Sequence, residues 1–173
     1  MSQKLENTMK KITVAKVVLN MGVGKSGEPV ERAKRALQQI SGQKPSARNA
    51  KATQRDWGVH KGEPIGVAVT LRKQPALELI KRLLAAKGNQ LKSSSFDDFG
   101  NVSFGIREHI DIPGVKYDPN IGILGLNISI SLIRPGFNIR FRSKHKASVG
   151  RTHRIKSDEA KEFLAREFGV QVV

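Results

Sequence analysis

Cysteine is absent from this 173-residue chain, and aromatic residues make up only 5% of it. Without cysteine the protein can form no disulfide bridge, no cysteine-ligated zinc site and no thiol nucleophile. Long hydrophobic runs are also missing, since no apolar stretch reaches the roughly 18 residues that a membrane-spanning helix needs. The first residues lack the apolar core of a signal peptide. These absences favour a cytoplasmic protein without a membrane partner.

Acidic residues are scarce relative to basic ones. The chain has 31 lysines and arginines against 15 aspartates and glutamates, which gives a formal net charge of +16. Self-repulsion of this size destabilises a compact chain unless a partner neutralises it. The excess therefore predicts a polyanionic partner, and nucleic acid is the strongest candidate. The length suits one domain over residues 1–173.

The spacing of hydrophobic residues predicts a mixed α+β fold. Apolar and polar residues alternate over residues 12–20, 64–72, 101–107 and 126–132, which is typical of half-buried strands. Apolar residues at helical spacing predict helices from residue 29, over 74–87 and from 157, the last with Ser157 as its N-cap. We expect an antiparallel sheet with helices packed on one face and the other face open.

Alternation also predicts which side chains share a face in the first strand. Thr13, Ala15, Val17 and Leu19 are expected on one face, and Val14, Lys16, Val18 and Asn20 on the other. In the second strand, Thr70 and Arg72 are expected on the face opposite to Val67, Val69 and Leu71. Lys16, Asn20, Thr70 and Arg72 are therefore candidates for an open, polar sheet surface.

Three glycines follow the first strand and raise the question of a nucleotide site. Gly22, Gly24 and Gly27 fit G-x-G-x-x-G, and Gly24-Lys25-Ser26 resembles the end of a P-loop. A P-loop needs another glycine where Leu19 stands, and a dinucleotide fold needs a second apolar strand and an acid about 20 residues on. The following "SGQKPSARNAKATQR" supplies neither. We interpret the glycines as a tight turn beside a candidate phosphate contact, Lys25; a nucleotide-dependent enzyme is the alternative.

Other catalytic and metal-binding patterns are weak in this chain. The four histidines lack a spacing typical of zinc sites. Asp97 and Asp98 lie in a predicted turn, where capping is the usual role. Glu108, His109 and Asp111 favour local hydrogen bonds and salt bridges over acid–base catalysis. We predict no catalytic residue, no metal and no cofactor.

Two segments concentrate positive charge. Residues 134–156, the basic excursion, hold eight lysines and arginines and no acid, and alternation at Phe137, Ile139 and Phe141 predicts a hairpin in part of it. Its candidate RNA contacts are Arg134, Arg140, Arg142, Lys144, Lys146, Arg151 and Arg154. Residues 51–63 form a predicted long loop between strands, in which Lys51, Arg55, His60 and Lys61 surround Trp57. A general basic RNA chaperone is a further alternative for such a chain.

Several longer motifs occur in a fixed order over about residues 10–170. They include "KVVLNMGVG", "SGQKPSARNAKATQR", "KGEPIGVAVTLR", "SSSFDDFGNVSFGIREHIDIPGVKYDP" and "GILGLNISISLIRPGF". In these motifs the chain resembles the L-five family of large-subunit ribosomal proteins, which carry 5S rRNA. The basic excursion and the short amino terminus resemble the archaeal and eukaryotic branch.

The resemblance implies a structural protein rather than an enzyme. It implies binding to 5S rRNA in the central protuberance of the cytoplasmic large subunit, without homo-oligomerisation. Further implied partners are large-subunit rRNA, P-site tRNA, other central-protuberance proteins and a small-subunit head protein across an intersubunit bridge. The family motifs place 5S rRNA contacts on Asn20, Gln43, Thr70 and Arg72, with Lys16 and Lys44 beside them. The tRNA-reaching loop corresponds to residues 51–63, with Lys51, Arg55, Trp57, His60 and Lys61.

Overall fold

The computed structural model describes residues 7–173. Its strands are β1 (Thr13–Gly22), β2 (Ser46–Asn49), β3 (Pro64–Leu71), β4 (Gln90–Leu91), β5 (Val102–Ile106), β6 (Leu126–Ile133) and β7 (Gln171–Val172). Its α-helices are α1 (Glu28–Ser41), α2 (Lys73–Ala86) and α3 (Ser157–Phe168). No helix of the part described is long and apolar enough to cross a membrane.

Five of the strands form one antiparallel sheet in the order β2-β3-β1-β6-β5. The two remaining strands, β4 and β7, pair in parallel as a separate small ladder. Helices α1 and α2 contact the sheet through β3 and β1, and the buried side of α3 joins the same hydrophobic cluster. The predicted α+β architecture is confirmed.

One face of the sheet supplies the hydrophobic core. Val17, Leu19 and Met21 of β1 are at most 1% exposed, and alternate residues of β6, from Leu126 to Leu132, are also buried. The apolar stripes of the helices cover this face, because the period of 3.6 residues in a helix lets one side meet the sheet continuously. The opposite sheet face holds most of the exposed polar residues of the strands.

A β-bulge in β1 corrects the predicted faces at the start of that strand. The register with β6 shifts between Val14 and Lys16, so Val14 pairs with the buried Leu132 and Lys16 pairs with Ser131. An extra residue in one strand reverses the alternation on its far side. Thr13 and Val14 therefore exchange the faces predicted for them, whereas the prediction for Lys16, Val17 and later residues is confirmed.

The glycine segment after β1 is a turn. Gly24 and Gly27 have φ values of 77° and 90°, which favour glycine, and Gly27 is the N-cap of α1. The amide groups of Val23 and Gly24 both donate to the carbonyl oxygen of Ile65, at 2.9 Å each. Since these amides bond to the neighbouring strand, they are not directed at a bound phosphate.

The loop and the excursion differ in their internal structure. Residues 50–63 connect β2 to β3 and therefore form the tip of an antiparallel hairpin, with a short 3-10 turn at Arg55–Trp57. The hairpin predicted within the excursion is wrong, because Phe137–Arg140 and Arg151–His153 are 3-10 turns.

The N-cap of α3 is Lys156 rather than the predicted Ser157. The backbone N–H of Lys156 donates to Glu159 Oε2 at 3.0 Å.

Candidate RNA-binding surface

The open face of the sheet is arranged in cross-strand rows. One row joins Asn20 of β1 to Ala68 on one side and to Asn127 on the other, and Asn127 is followed by Gly105. A second row runs from Thr70 through Val18 to Ser129 and Ser103, whose hydroxyl donates to that of Ser129 at 3.2 Å. A third row holds Lys16 opposite Ser131.

Most side chains on this face are small. Gly66 of β3 pairs with Gly22 of the neighbouring strand β1, and an added Cβ would stand 2.9 Å from the carbonyl oxygen of Met21. Gly105 lies beside Asn127, whose Oδ1 would be 3.3 Å from such a Cβ. Glycine inside a strand often marks a place where another backbone approaches closely. Short side chains of this kind therefore surround Asn20, Asn127 and Lys16 on the open face.

Electrostatics distinguish this face from the helical side. None of the five strands of the main sheet contains an aspartate or glutamate, and residues 134–156 contain none either. The three α-helices carry seven of the acidic residues, including Glu28, Glu31, Asp158 and Glu159. No carboxylate in these strands or in the excursion would therefore repel an approaching polyanion.

Four of the six residues predicted to contact 5S rRNA converge on the open face. Asn20 and Thr70 are exposed in adjacent rows, Arg72 follows β3 and is exposed, and Lys16 is half-buried beside the bulge. Gln43 and Lys44 are exposed in the connection between α1 and β2. They lie just before β2, the edge strand next to β3, and not in the sheet.

Sequence reasoning missed several polar residues of the same face. Asn127, Ser129 and Ser103 stand in the rows of Asn20 and Thr70, and Arg48 pairs with Gly66 at the edge. The alternation in "LNISISL" and "NVSFGIR" placed the first three on a polar face. Alternation alone does not show which strands are neighbours, so their meeting with Asn20 required the sheet order.

Lys25 is exposed in the turn before α1, but the start of that helix is already neutralised. Glu28 and Glu31 occupy its first turn, where carboxylates interact favourably with the helix dipole. A hydrogen bond from Arg32, with its positive charge, lowers the pKa of Glu28. These anions would repel a phosphate at the helix N-terminus, so a phosphate contact here depends on Lys25 alone.

The hairpin between β2 and β3 presents the only tryptophan at its tip. Trp57 is 76% exposed, and Lys51, Arg55, His60 and Lys61 around it are exposed as well. Backbone hydrogen bonds order the base of this tip, because Ala50 N–H donates to Glu63 O and Gly62 N–H to Ala50 O. The exposed tryptophan does not anchor its own loop.

The basic excursion is closed at its base by contacts between its two ends. His153 Nε2 lies 2.8 Å from the carbonyl oxygen of Pro135, and Arg154 Nε donates to Val149 O at 3.1 Å. Val149 and Ile155 are buried and attach the segment to the rest of the protein. Arg140, Arg142, Lys144, Lys146 and Arg151 are exposed, and Arg154 is half-buried.

Arg134, one of the predicted RNA contacts, is buried and paired with a carboxylate. It is only 7% exposed, and its guanidinium donates to Glu159 Oε1 at 2.8 Å in a salt bridge. Burial raises the pKa of Glu159, but the Lys156 N–H and the Arg134 guanidinium outweigh it and hold that pKa below its usual value. The charge of Arg134 is thus used to fix α3 against the excursion, which argues against its direct contact with RNA.

His109 and Asp97, two polar residues considered above for catalysis, have structural roles. His109 is fully buried, and its Nδ1 accepts the N–H of Leu124 at 3.3 Å. Asp97 Oδ1 accepts the N–H groups of Phe99 and Asn101, as expected of a turn-capping carboxylate. Among residues 7–173, no group of His, Cys, Asp or Glu side chains is placed to hold a metal ion.

The fold and the surface together define a class: a basic α+β protein that presents one acid-free, polar sheet face. Comparison with known proteins makes the class specific. The family model described as "Ribosomal protein L5" matches residues 7–60, and the one described as "ribosomal L5P family C-terminus" matches residues 64–171. The chain therefore belongs to the ribosomal protein L5 family, which is a family of structural ribosomal proteins and not of enzymes.

Relatives from archaea extend over almost the whole chain. The large ribosomal subunit protein uL5 of Nitrosopumilus maritimus is 70% identical over 172 residues, which cover 99% of each chain. The protein of the same name from Sulfurisphaera tokodaii is 49% identical over 168 residues, 96% of this chain and 95% of the relative. That of Pyrobaculum aerophilum is 48% identical over 164 residues. These similarities agree with the predicted archaeal and eukaryotic branch.

Proposed function

We propose that this protein binds 5S rRNA through the open face of its sheet and helps to attach that RNA to the large ribosomal subunit. The ribosomal role itself follows from the family, whose relatives here are named proteins of the large subunit, a cytoplasmic particle. The observation that carries the specific proposal is the convergence of Asn20, Thr70, Arg72 and Lys16 on one acid-free face.

The geometry suits recognition of RNA shape. Small residues allow the sheet to approach an RNA backbone closely, and the amides of Asn20 and Asn127 can then donate to and accept from sugar or base-edge atoms. Arg72 and Lys16 supply charge for phosphates at the same end of the face. The paired rows on the open face contain no aromatic side chain, so stacking plays no part there.

Two further contacts are part of the proposal. The exposed tip around Trp57 extends from the sheet as a cationic hairpin, which supports contact with P-site tRNA. The excursion offers exposed cations for large-subunit rRNA. Contacts with other central-protuberance proteins and a bridge to a small-subunit head protein rest on the family resemblance.

Gel shifts with 5S rRNA over a series of salt concentrations test the central proposal. Asn20→Ala and Arg72→Ala should each weaken binding by about 1–3 kcal/mol, the usual loss for one good polar contact. Arg35→Ala, which removes an exposed cation from α1, is the matched control and should leave affinity nearly unchanged. An unrelated RNA of equal length should bind more weakly at every salt concentration. Equal affinity for both RNAs would instead support a general chaperone, and unchanged affinity in both face variants would contradict the site.

A further inference from the structure

A cleft of about 1270 Å³ opens where the basic excursion meets the end of the open sheet face. The sheet contributes Lys16 and Ser131 to its lining, and Arg72, the residue after β3, also lines it. The excursion contributes residues from Pro135 to Ile155. The bulge in β1 lies at this end of the open face, directly before Lys16.

The lining of this cleft carries charge of one sign. It includes six cationic side chains and no carboxylate: Lys16, Arg72, Arg134, Arg140, Lys146 and Arg154. Only Arg134 forms a salt bridge with a carboxylate in the part of the chain described, and Glu159, its partner, lies outside the lining. The other five cations have no carboxylate partner among the described residues. Several unpaired cations in one cleft favour a ligand that carries several negative charges.

Two exposed aromatic rings in the same lining are covered by guanidinium groups. Phe99 is 56% exposed with Arg154 Cζ 5.8 Å from its ring centre, and Phe141 is 70% exposed with Arg140 Cζ at 6.0 Å. Phe99 is also held in place, since its N–H donates to Asp97 Oδ1 at 2.9 Å. Exposed rings accompanied by arginine are the groups on which proteins stack unpaired bases.

Size and chemistry together select the kind of nucleic acid. The cleft exceeds the roughly 300–1,000 Å³ of ordinary small-molecule sites, so it suits a short length of strand better than a free nucleotide. In an RNA duplex the base faces are stacked on one another and cannot reach Phe99 or Phe141. We propose that this cleft binds a single-stranded RNA segment, whose bases stack on Phe99 and Phe141 and whose phosphates meet Lys16, Arg72 and Lys146. The proposal rests on the RNA-binding function proposed above and extends that surface, at the end that carries Lys16 and Arg72, with a specificity for unpaired bases.

Fluorescence anisotropy with the full-length protein tests this site. The probes are a labelled single-stranded RNA of about ten nucleotides, within the usual site size for such proteins, and the same strand annealed to its complement. We expect the Phe99→Ala/Phe141→Ala double variant to bind the single strand about tenfold more weakly and the duplex within about twofold of the unaltered protein. Tyr117→Ala is the matched control, because Tyr117 is 57% exposed and lies outside the lining. Both replaced phenylalanines are exposed, and thermal unfolding will confirm that the variants fold.

The outcomes separate the two proposals. Loss of affinity for single and double strands alike, or for neither, would overturn the cleft as a single-strand site. A similar loss in Tyr117→Ala would overturn it too. The same proteins are then tested on 5S rRNA. A protein that prefers 5S rRNA yet shows no dependence on the two phenylalanines fails only the cleft proposal, whereas one without preference for 5S rRNA fails the function proposed for the sheet face.

Discussion

At the scale of single residues, Lys73 carries backbone strain beside the proposed RNA surface. It follows Arg72 directly and has a φ of 58°, in the left-handed region that long side chains rarely adopt. We predict that Lys73→Gly raises the free energy of unfolding by about 0.5 kcal/mol. Relief of about 1 kcal/mol of strain is partly offset by the extra freedom of glycine in the unfolded chain. Urea denaturation monitored by circular dichroism measures the change.

Asn89 offers a control for this prediction. Its φ of 54° is also left-handed, but asparagine tolerates that region far better than lysine. Asn89→Gly should therefore leave stability unchanged or slightly lower. An equal gain in both variants, or a loss in Lys73→Gly, would show that Lys73 is not strained.

At the scale of structural elements, the turn that carries Phe99 is locked to the end of the excursion. Gly100 has a φ of 74°, and an added Cβ would stand 2.5 Å from Ile155 Cγ2, a side chain that is 1% exposed. We predict that Gly100→Ala lowers the free energy of unfolding by about 2–4 kcal/mol, because overpacking adds to backbone strain. Thermal and urea unfolding of the purified protein would measure this loss.

Gly24→Ala separates the two contributions to that loss. Gly24 has a nearly identical φ of 77° but nothing within 4 Å of an added Cβ, so only backbone strain of about 1–2 kcal/mol should appear. Similar losses in the two variants would mean that Ile155 yields easily and that the turn is not locked.

The elements also show what sequence alone could and could not predict. Alternation placed Asn20, Thr70 and Arg72 on one face, because the period of a strand is local and regular. The bulge that reverses Val14 depends on pairing with β6, which lies more than a hundred residues away. The burial of Arg134 depends on its salt bridge with Glu159, an acid that lies just outside the acid-free basic excursion. Contacts between distant segments leave no mark in local spacing.

At the scale of the whole molecule, the protein has two chemically distinct sides. Helices with carboxylates cover one face of the sheet, and the other face joins an excursion in which Arg140, Lys144 and Lys146 are exposed. The net charge of +16 is thus distributed unevenly over the surface. RNA affinity therefore depends more on which cations contact phosphates than on the total net charge. Each phosphate neutralised by a bound cation releases counterions and steepens the dependence of affinity on salt.

This uneven distribution gives a prediction for two variants of identical charge. Replacing Arg140, Lys144 and Lys146 with glutamine should reduce the slope of log affinity against log salt by about 2–3 on duplex-rich 5S rRNA. Replacing Arg35, Lys81 and Arg166, three exposed cations of the helices, with glutamine should change that slope by less than about 1. Both variants lose three charges, so equal reductions would mean that RNA senses only net charge and that the excursion makes no local contact. A reduction confined to the excursion variant places its side chains near phosphates, since counterion release requires close approach.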